Sequence, residues 1–301
     1  MANTLITPSV IARAGLATLV NNLVFANLVW RDFDSDFVGK VGDTITIRKP
    51  ATFVAQDFVR ASGITIQNAT EGSVAVTLDK FKDVSFAVTS EELTLKIDDF
   101  QNRLLAPAMQ AIVEAVDADI AETLVDAAEG AGGGGTVTMT SAASDVLAKS
   151  REVLTRNKLP LTDRYAVLSP EATTKALGDI NFINAEKSGT TDALRNASLG
   201  RVFGQETYET QVLGYGPGDR GQADGVAFHR DAVTLVTRPL EVPMGVAPSQ
   251  YAVESFGGIT MRVVQSYDIK YKQDVVSVDI LYGVKATRPE GAVQISMGIG
   301  S

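Results

Sequence analysis

Cysteine is absent from the 301 residues, and histidine and tryptophan occur once each, as His229 and Trp30. Without cysteine there is no disulfide framework, no thiolate zinc site and no thiol nucleophile. A single imidazole counts against multi-histidine metal centres and most histidine-based catalytic schemes. No apolar run reaches the roughly 18 residues that a bilayer span requires. The opening Met1-Ala2-Asn3-Thr4-Leu5 lacks the basic and apolar regions of a secretion signal, so the expectation is a chain that folds in the cytosol. At a formal net charge of −9, the sequence also lacks the basic footprint of a nucleic-acid reader. It has no G-x-S-x-G nucleophile elbow. Much enzymology is excluded by these gaps alone.

What is present is globular. Hydrophobic residues make up 45% and charged residues 21% of the chain, which excludes wholesale disorder. The length is at the upper limit for one core, so one composite or two compact domains is expected. Near the N-terminus, Thr7 and Pro8 read as cap and first helical residue, with Leu16, Leu19, Val20 and Leu23 on one face. That helix either docks on its own chain or packs on another subunit. From Val41 the period switches to 2. Thr44-Ile45-Thr46-Ile47-Arg48 reads as a half-buried strand closed by Lys49-Pro50, and Ser73 to Leu78 is expected to pair back on it. The intervening residues 51–72 carry Phe53, Phe58, Ile64 and Ile66 with few charges, and excursions of this length tend to be functional.

The strongest helical signal follows. Thr89-Ser90-Glu91-Glu92 fits a capping box, and Met109, Ile112, Val116, Ile120, Leu124 and Ala127 form an apolar stripe. A helix starting near Asp99 would be about 45 Å long. Its other face is acidic, with Glu114, Glu122, Asp126 and Glu129, and with Asp117 and Asp119 near the borders. The run Gly130 to Gly135 stops the helix and marks a hinge or boundary. Residues 136–240 read as a mixed α/β unit. In it, Ser141 is a candidate cap, Tyr165 to Leu168 and Val226 to Phe228 are buried strands, and Ser169-Pro170 opens a helix. Beyond residue 250, Ile259, Met261 and Val263, then Val276, Val278, Ile280 and Tyr282, predict an antiparallel pair.

None of the candidate chemical motifs specifies catalysis. Gly214 to Gly221 lacks the GK[ST] ending and the following helix of a phosphate loop, and reads as surface. Glu122 and Asp126 at i, i+4 repel mildly in the absence of a cation, so the acidic face reads as solvated. It would also suit a wall facing confined nucleic acid. His229, in Ala227 to Ala232, has no serine or cysteine partner and reads as structural, with Arg230-Asp231 a local ion pair or cap.

The order and spacing of Val41 to Pro50, the long hairpin excursion, the long helix and the glycine run form a recognisable pattern. With them stand Val202-Phe203-Gly204 to Tyr208-Glu209, Ala227 to Ala232, Tyr282 to Lys285 and Arg288-Pro289-Glu290. Together they resemble the major capsid (coat) proteins of tailed bacteriophages with the HK97 fold, closest to the P22 coat protein type. The resemblance implies an α+β fold with an N-terminal arm (1–40), an extended E-loop hairpin (41–84) and a peripheral domain with a spine helix (85–135). An α/β axial domain (136–245), return strands of the peripheral domain (246–282) and a C-terminal segment closing in the axial domain (283–301) complete it.

The implied function is non-enzymatic, with no cofactor and no metal. Copies would assemble as pentamers and hexamers into an icosahedral shell around double-stranded DNA, with no sequence-specific reading and no membrane. Assembly is expected in the host cytoplasm and residence in the virion. Phe53, Phe58, Ile64 and Ile66 are the expected intersubunit contact, and Glu114, Glu122, Asp126 and Glu129 the expected lumen-facing acids. On this resemblance the chain is expected to begin directly with the arm, with no room for the inserted domain of longer relatives. A separate scaffolding protein and a portal are therefore expected partners, with a decoration protein an open possibility. Some relatives cross-link a hairpin lysine to an asparagine, yet no lysine lies between Ala51 and Asp79. Two alternatives stand beside this reading: an encapsulin-like nanocompartment shell, and a soluble carboxylate-based metal enzyme.

Overall fold

Alternation in the longest strand sets the architecture: Val276, Val278, Ile280 and Tyr282 all point into the core and are fully or almost fully buried. Residues on one face of a strand recur every second position, so this strand can carry a helix on one side. The computed structural model describes residues 8–31, 42, 44–48, 53, 55–58, 60, 63, 66, 72–89, 104–183, 199–215, 222–238, 240, 247, 250–256, 259–271 and 273–298. In chain order these form α1 (Pro8–Asn22), α2 (Phe25–Leu28), β1 (Thr44–Arg48), β2 (Ser73–Thr77), β3 (Lys80–Thr89) and α3 (Ala106–Glu129). There follow β4 (Thr136–Thr138), α4 (Ala143–Arg156), β5 (Arg164–Leu168), α5 (Pro170–Leu177), α6 (Ile180–Ile183), β6 (Arg201–Val202) and β7 (Gln205–Glu209). The last strands are β8 (Gly225–His229), β9 (Val233–Arg238), β10 (Tyr251–Phe256), β11 (Ile259–Asp268), β12 (Gln273–Ala286) and β13 (Ala292–Ser296).

The strands form three sheets. β1 and β2 make a two-stranded ribbon, antiparallel from Thr44↔Thr77 to Arg48↔Ser73, as their alternation predicts. A five-stranded sheet has the order β10-β11-β12-β3, with β9 also paired to β12. Here the expected antiparallel pair is present, with Val263 opposite Val278. A six-stranded sheet has the order β4-β13-β8-β5-β7-β6. Residues 233–238, grouped by sequence alone with the preceding α/β unit, pair with β12 instead.

Helix α3 is the centre of the main core. Met109, Ile112, Val116, Ile120 and Leu124 are buried against the five-stranded sheet and the N-terminal helices. α3 begins at Ala106 after a wider π-type turn at Leu104 and Leu105, so it spans about 36 Å rather than 45. Asp99 and the box residues Ser90, Glu91 and Glu92 lie outside the described residues, while Thr89 ends strand β3 opposite Gln273. α1 docks on its own chain: Ile11, Ala12 and Leu16 are buried in the same core, and Phe25 of α2 stacks near Phe228 with ring centroids 6.1 Å apart. Thr7 lies outside the described residues, as do the side chains of Leu19 and Val20.

The glycine run stops α3 as expected, but it is a packed turn and not a loose hinge. A side chain at Gly133 would stand 2.2 Å from the Ala127 carbonyl, and Gly134 N–H donates to the Ala292 carbonyl at 2.9 Å. The chain can therefore fold over the helix end only if no Cβ is present. Further on, Ser169 caps α5 by accepting from Ala172 N–H at 3.1 Å, as Ser169-Pro170 predicts. Ser141 is not the cap of α4. It sits one residue too early and donates to Asp145 at 2.5 Å, while Asp179 accepts from Ser144 N–H at 2.9 Å and supplies the cap from another element.

Two residues read as border acids belong to the core. Asp117 and Asp119 are both 2% exposed. Asp117 accepts from Val24 N–H at 2.7 Å and Ala26 N–H at 3.1 Å, which makes it the cap of α2. Helical angle alone gives no sign of this, because the segment covering Asp117 lies about ninety residues earlier. Burial pushes its carboxyl up to about 6 from 3.8, despite the backbone N–H groups of Val24, Ala26 and Phe25.

The folded state thus holds a proton between about pH 4 and pH 6 that the unfolded chain has released. Where the folded state binds more protons, stability falls as pH rises. About 3 kcal/mol of this group's contribution is therefore lost between pH 4 and pH 6. Asp117→Asn should remove that slope. In urea melts at pH 4.5 and 7.5 the stability difference between wild type and variant should change by about 2 kcal/mol, favouring wild type at the acid end. A difference that stays constant with pH would disprove the assignment.

Candidate assembly site

Among the described residues, the hairpin ribbon is held to the subunit at its root. Ile47, Val76 and Leu78 bury against Val236 and Leu281 in a small apolar cluster separate from the two larger cores. The alternation of β1 and β2 puts these side chains on one face, and Gly42 N–H donates to the Leu78 carbonyl at 2.8 Å to close the base. The seat is cut into β12: a Cβ at Gly283 would lie 2.1 Å from the Thr77 carbonyl oxygen. Glycine at this position allows the ribbon to cross the sheet at backbone contact.

Beyond the root, the described large apolar side chains are open to solvent. Phe53 is 64% exposed, Phe58 67% and Ile66 84%. Ile64 lies outside the described residues. Burying a side chain of this size is worth roughly 1.5–3 kcal/mol relative to leaving it in water. Two further exposed aromatics, Tyr267 and Tyr271, flank the β11–β12 turn together with Ile269.

A buried polar knot ties the hairpin root to α3. Asp119 accepts from the Tyr282 hydroxyl at 2.5 Å, and its two oxygens lie 3.3 Å from Lys80 Nζ and 3.4 Å from Lys82 Nζ. Burial pushes the Asp119 carboxyl up, but Tyr282 and the two ammonium groups outweigh it and hold the carboxyl below the usual range. Lys80 and Lys82 share one face of β3 because side chains alternate. Sequence reading missed this group: the i, i+2 lysine pair is its only local signal, and the carboxylate it meets is set by strand pairing. On the same sheet, Arg262 forks onto Asp279 of the neighbouring strand at 2.6–3.1 Å.

Glu114, Glu122, Asp126 and Glu129 are all exposed. At about 100° per residue the last three fall within about 60° of arc, with Glu114 about 80° from Glu122. The stripe is interrupted, because Ala118 and Val125 share the arc and are buried. Glu114 accepts from Gln110 at 3.1 Å. Among the described residues no three acidic or histidine side chains converge as a metal site. His229 is buried at the end of β8, where its Nδ1 accepts from Asp231 N–H at 3.2 Å. Residues 216–221 of the glycine-rich loop lie outside the described residues. No helix among the described residues is long and apolar enough to cross a membrane.

A helix-backed sheet, a second α/β sheet and a projecting apolar ribbon define the HK97-type fold of phage capsid subunits, and solved structures agree. The chain superposes on a Mycobacterium phage Che8 chain with a TM-score of 0.65 at 21% identity, covering 91% of this chain and 90% of that one. For the capsid of cyanophage P-SCSP1u the TM-score is 0.68 at 13% identity, covering 92% and 88%. For the capsid of an empty GTA particle it is 0.60 at 11% identity, covering 92% and 90%. No curated protein sequence matches the chain. Residues 3–204 match the P22 coat protein (gene protein 5) family, and the chain belongs to that family. It is a bacteriophage major capsid protein, and neither the nanocompartment nor the enzyme alternative finds support.

Proposed function

We propose that copies of this coat protein assemble as pentamers and hexamers into an icosahedral shell around double-stranded DNA, with no catalytic step of their own. The observation that carries the proposal is the exposed hairpin, whose Phe53, Phe58 and Ile66 have no seat on their own subunit. In this reading residues 1–40 are the arm and 41–84 the E-loop. The peripheral domain comprises 85–135 and 246–282, and the axial domain comprises 136–245 and 283–301. Strand pairing supports the division in part: β3 shares a sheet with β10, β11 and β12, and β13 returns to the other sheet beside β4 and β8, whereas β9 (233–238) pairs with β12 and departs from it. A separate scaffolding protein and a portal are proposed partners, with assembly in the host cytoplasm and residence in the virion. The test is expression with and without the scaffolding protein, read by sedimentation and negative-stain microscopy. Uniform hollow shells are expected, and a monodisperse monomer under every condition would overturn the proposal.

The four exposed acids are proposed to face the lumen, where like charge keeps DNA from adhering to the wall. Changing Glu114, Glu122, Asp126 and Glu129 to Lys should leave folding intact, since none is buried, and should make shells retain DNA. Each new phosphate contact should steepen the salt dependence of retention by about 0.9 in log–log slope. Unchanged retention would place this face against another subunit.

The shells are further proposed to be non-covalent, because the hairpin between its base lysines Lys49 and Lys80 carries no lysine. Mature particles should run as single chains on a denaturing gel. A ladder of covalent multimers would refute this.

A further inference from the structure

The chain passes between the two large sheets at two adjacent places. One crossover, 229–233, leaves β8 of the six-stranded sheet and enters β9 of the five-stranded sheet. The other, 286–292, leaves β12 and enters β13 in the opposite sense. The two are bonded side by side. Thr287 N–H and Arg288 N–H donate to the Ala232 carbonyl at 2.9 and 3.1 Å, and the Thr234 and Thr287 hydroxyls lie 2.6 Å apart. Asp231 stands between a guanidinium and the imidazole: its Oδ2 is 3.7 Å from Arg288 Nη1 and 3.7 Å from His229 Nδ1.

His229 is 4% exposed. Its Nδ1 accepts from Asp231 N–H, so that nitrogen carries no hydrogen and the proton resides on Nε2. Nε2 is buried and, among the described residues, has no hydrogen-bond partner. We infer that His229 is an acid-sensitive clasp on the paired crossovers. While neutral, it caps the turn and leaves Asp231 to Arg288. Once protonated, it turns a hydrogen toward the Asp231 amide, loses that bond and competes with Arg288 for the Asp231 carboxylate. The ion pair between the two crossovers is then weakened.

The groups facing the imidazole pull in both directions. Burial disfavours the charged ring most, and the Arg164 and Arg288 guanidiniums add to it, while the Asp231 and Asp163 carboxylates favour it. The balance holds the ring below its ordinary 6.5. An opened crossover binds the proton at the ordinary value and the closed one only at lower pH. Closure is therefore complete above about pH 6.5 and is lost as pH falls below it. No other side chain carries an imidazole. Asp117, whose carboxyl is pushed up to about 6, changes stability in the opposite direction over the same range, so acid loosening of the crossovers is distinguishable from its effect.

Hydrogen exchange of the full chain at pH 7.5, 6 and 5, corrected for intrinsic rates, reads the clasp directly. Protection in 229–233 and 286–291 should be lower at pH 5 than at pH 7.5, falling by at most tenfold per pH unit and only between the ordinary imidazole value and the lower one of the closed crossover, with β5 and residues 225–228 unaffected. His229→Asn keeps an acceptor toward the Asp231 amide and does not titrate, so its crossovers should be insensitive to acid. The single histidine also gives one unambiguous NMR titration in the wild type, which decides the matter if the variant fails to fold. A midpoint below 6.5 supports the clasp. A midpoint at or above 6.5, acid loosening that persists in His229→Asn, or wild-type crossovers equally protected at pH 5 and 7.5 would each overturn it.

Discussion

Replacing residues 52–70 with a short Gly-Ser linker is expected to abolish closed shells while leaving the subunit folded. Circular dichroism should be unchanged apart from the missing segment, and Tm should stay within about 2 °C of wild type. The reason lies in where the hairpin is anchored. β1 and β2 keep their ladder and the cluster of Ile47, Val76, Leu78, Val236 and Leu281, all outside the deletion. Phe53, Phe58 and Ile66 contribute little to the subunit's own stability, because water already reaches most of their surface. In a shell each would supply part of the 1.5–3 kcal/mol that burial of such a side chain is worth, less the cost of ordering the loop. A flap serving its own subunit predicts the reverse: a clearly lowered Tm in the deleted chain. Normal shells of undiminished stability from that chain would defeat the intersubunit reading.

Gly283→Ala should damage assembly and subunit together, in a way that a strand glycine would not ordinarily suggest. The added methyl meets the Thr77 carbonyl oxygen at 2.1 Å and the Thr77 carbonyl carbon at 2.9 Å, and backbone atoms cannot rotate away as a side chain would. The ribbon must lift off β12, which disturbs the packing of Leu78 on Leu281. Overpacking of this kind costs roughly 1–3 kcal/mol, a Tm loss of several degrees for a chain of this size. Because the root sets the direction of the hairpin, shells should form poorly even at temperatures where the subunit is fully folded. Gly178→Ala is the control, since its new methyl meets the Lys175 carbonyl at an ordinary 3.4 Å. Equal Tm and equal shell yield for the two variants would show that the seat at Gly283 does not matter.

The period-2 run of Thr44 to Arg48, the stripe on α3 and the cap at Ser169 were legible because each depends on residues within one or two turns or strand repeats. The hairpin's exposed phenylalanines were legible for a related reason: apolar residues among few charges, with no regular period, have no local face to hide on. Asp117 and Asp119 were not. A helical wheel gives an angle but not a cover, and the covers are α2 and the β3–β12 pair, distant in sequence. Gly283 reads as an interchangeable strand glycine until Thr77 is brought against it. The place of β9 is hidden for the same reason. Only three residues separate it from β8, yet the turn at Arg230 to Ala232 carries the chain from one sheet to the other. Nonlocal pairing decides all three.

A reconstruction of assembled particles, at a resolution that shows side chains, tests the central claim most directly. The account predicts Phe53, Phe58 and Ile66 within about 4.5 Å of apolar atoms on a neighbouring subunit and no longer open to solvent. A particle in which those side chains lie against their own subunit, or remain in water on every copy, would contradict it.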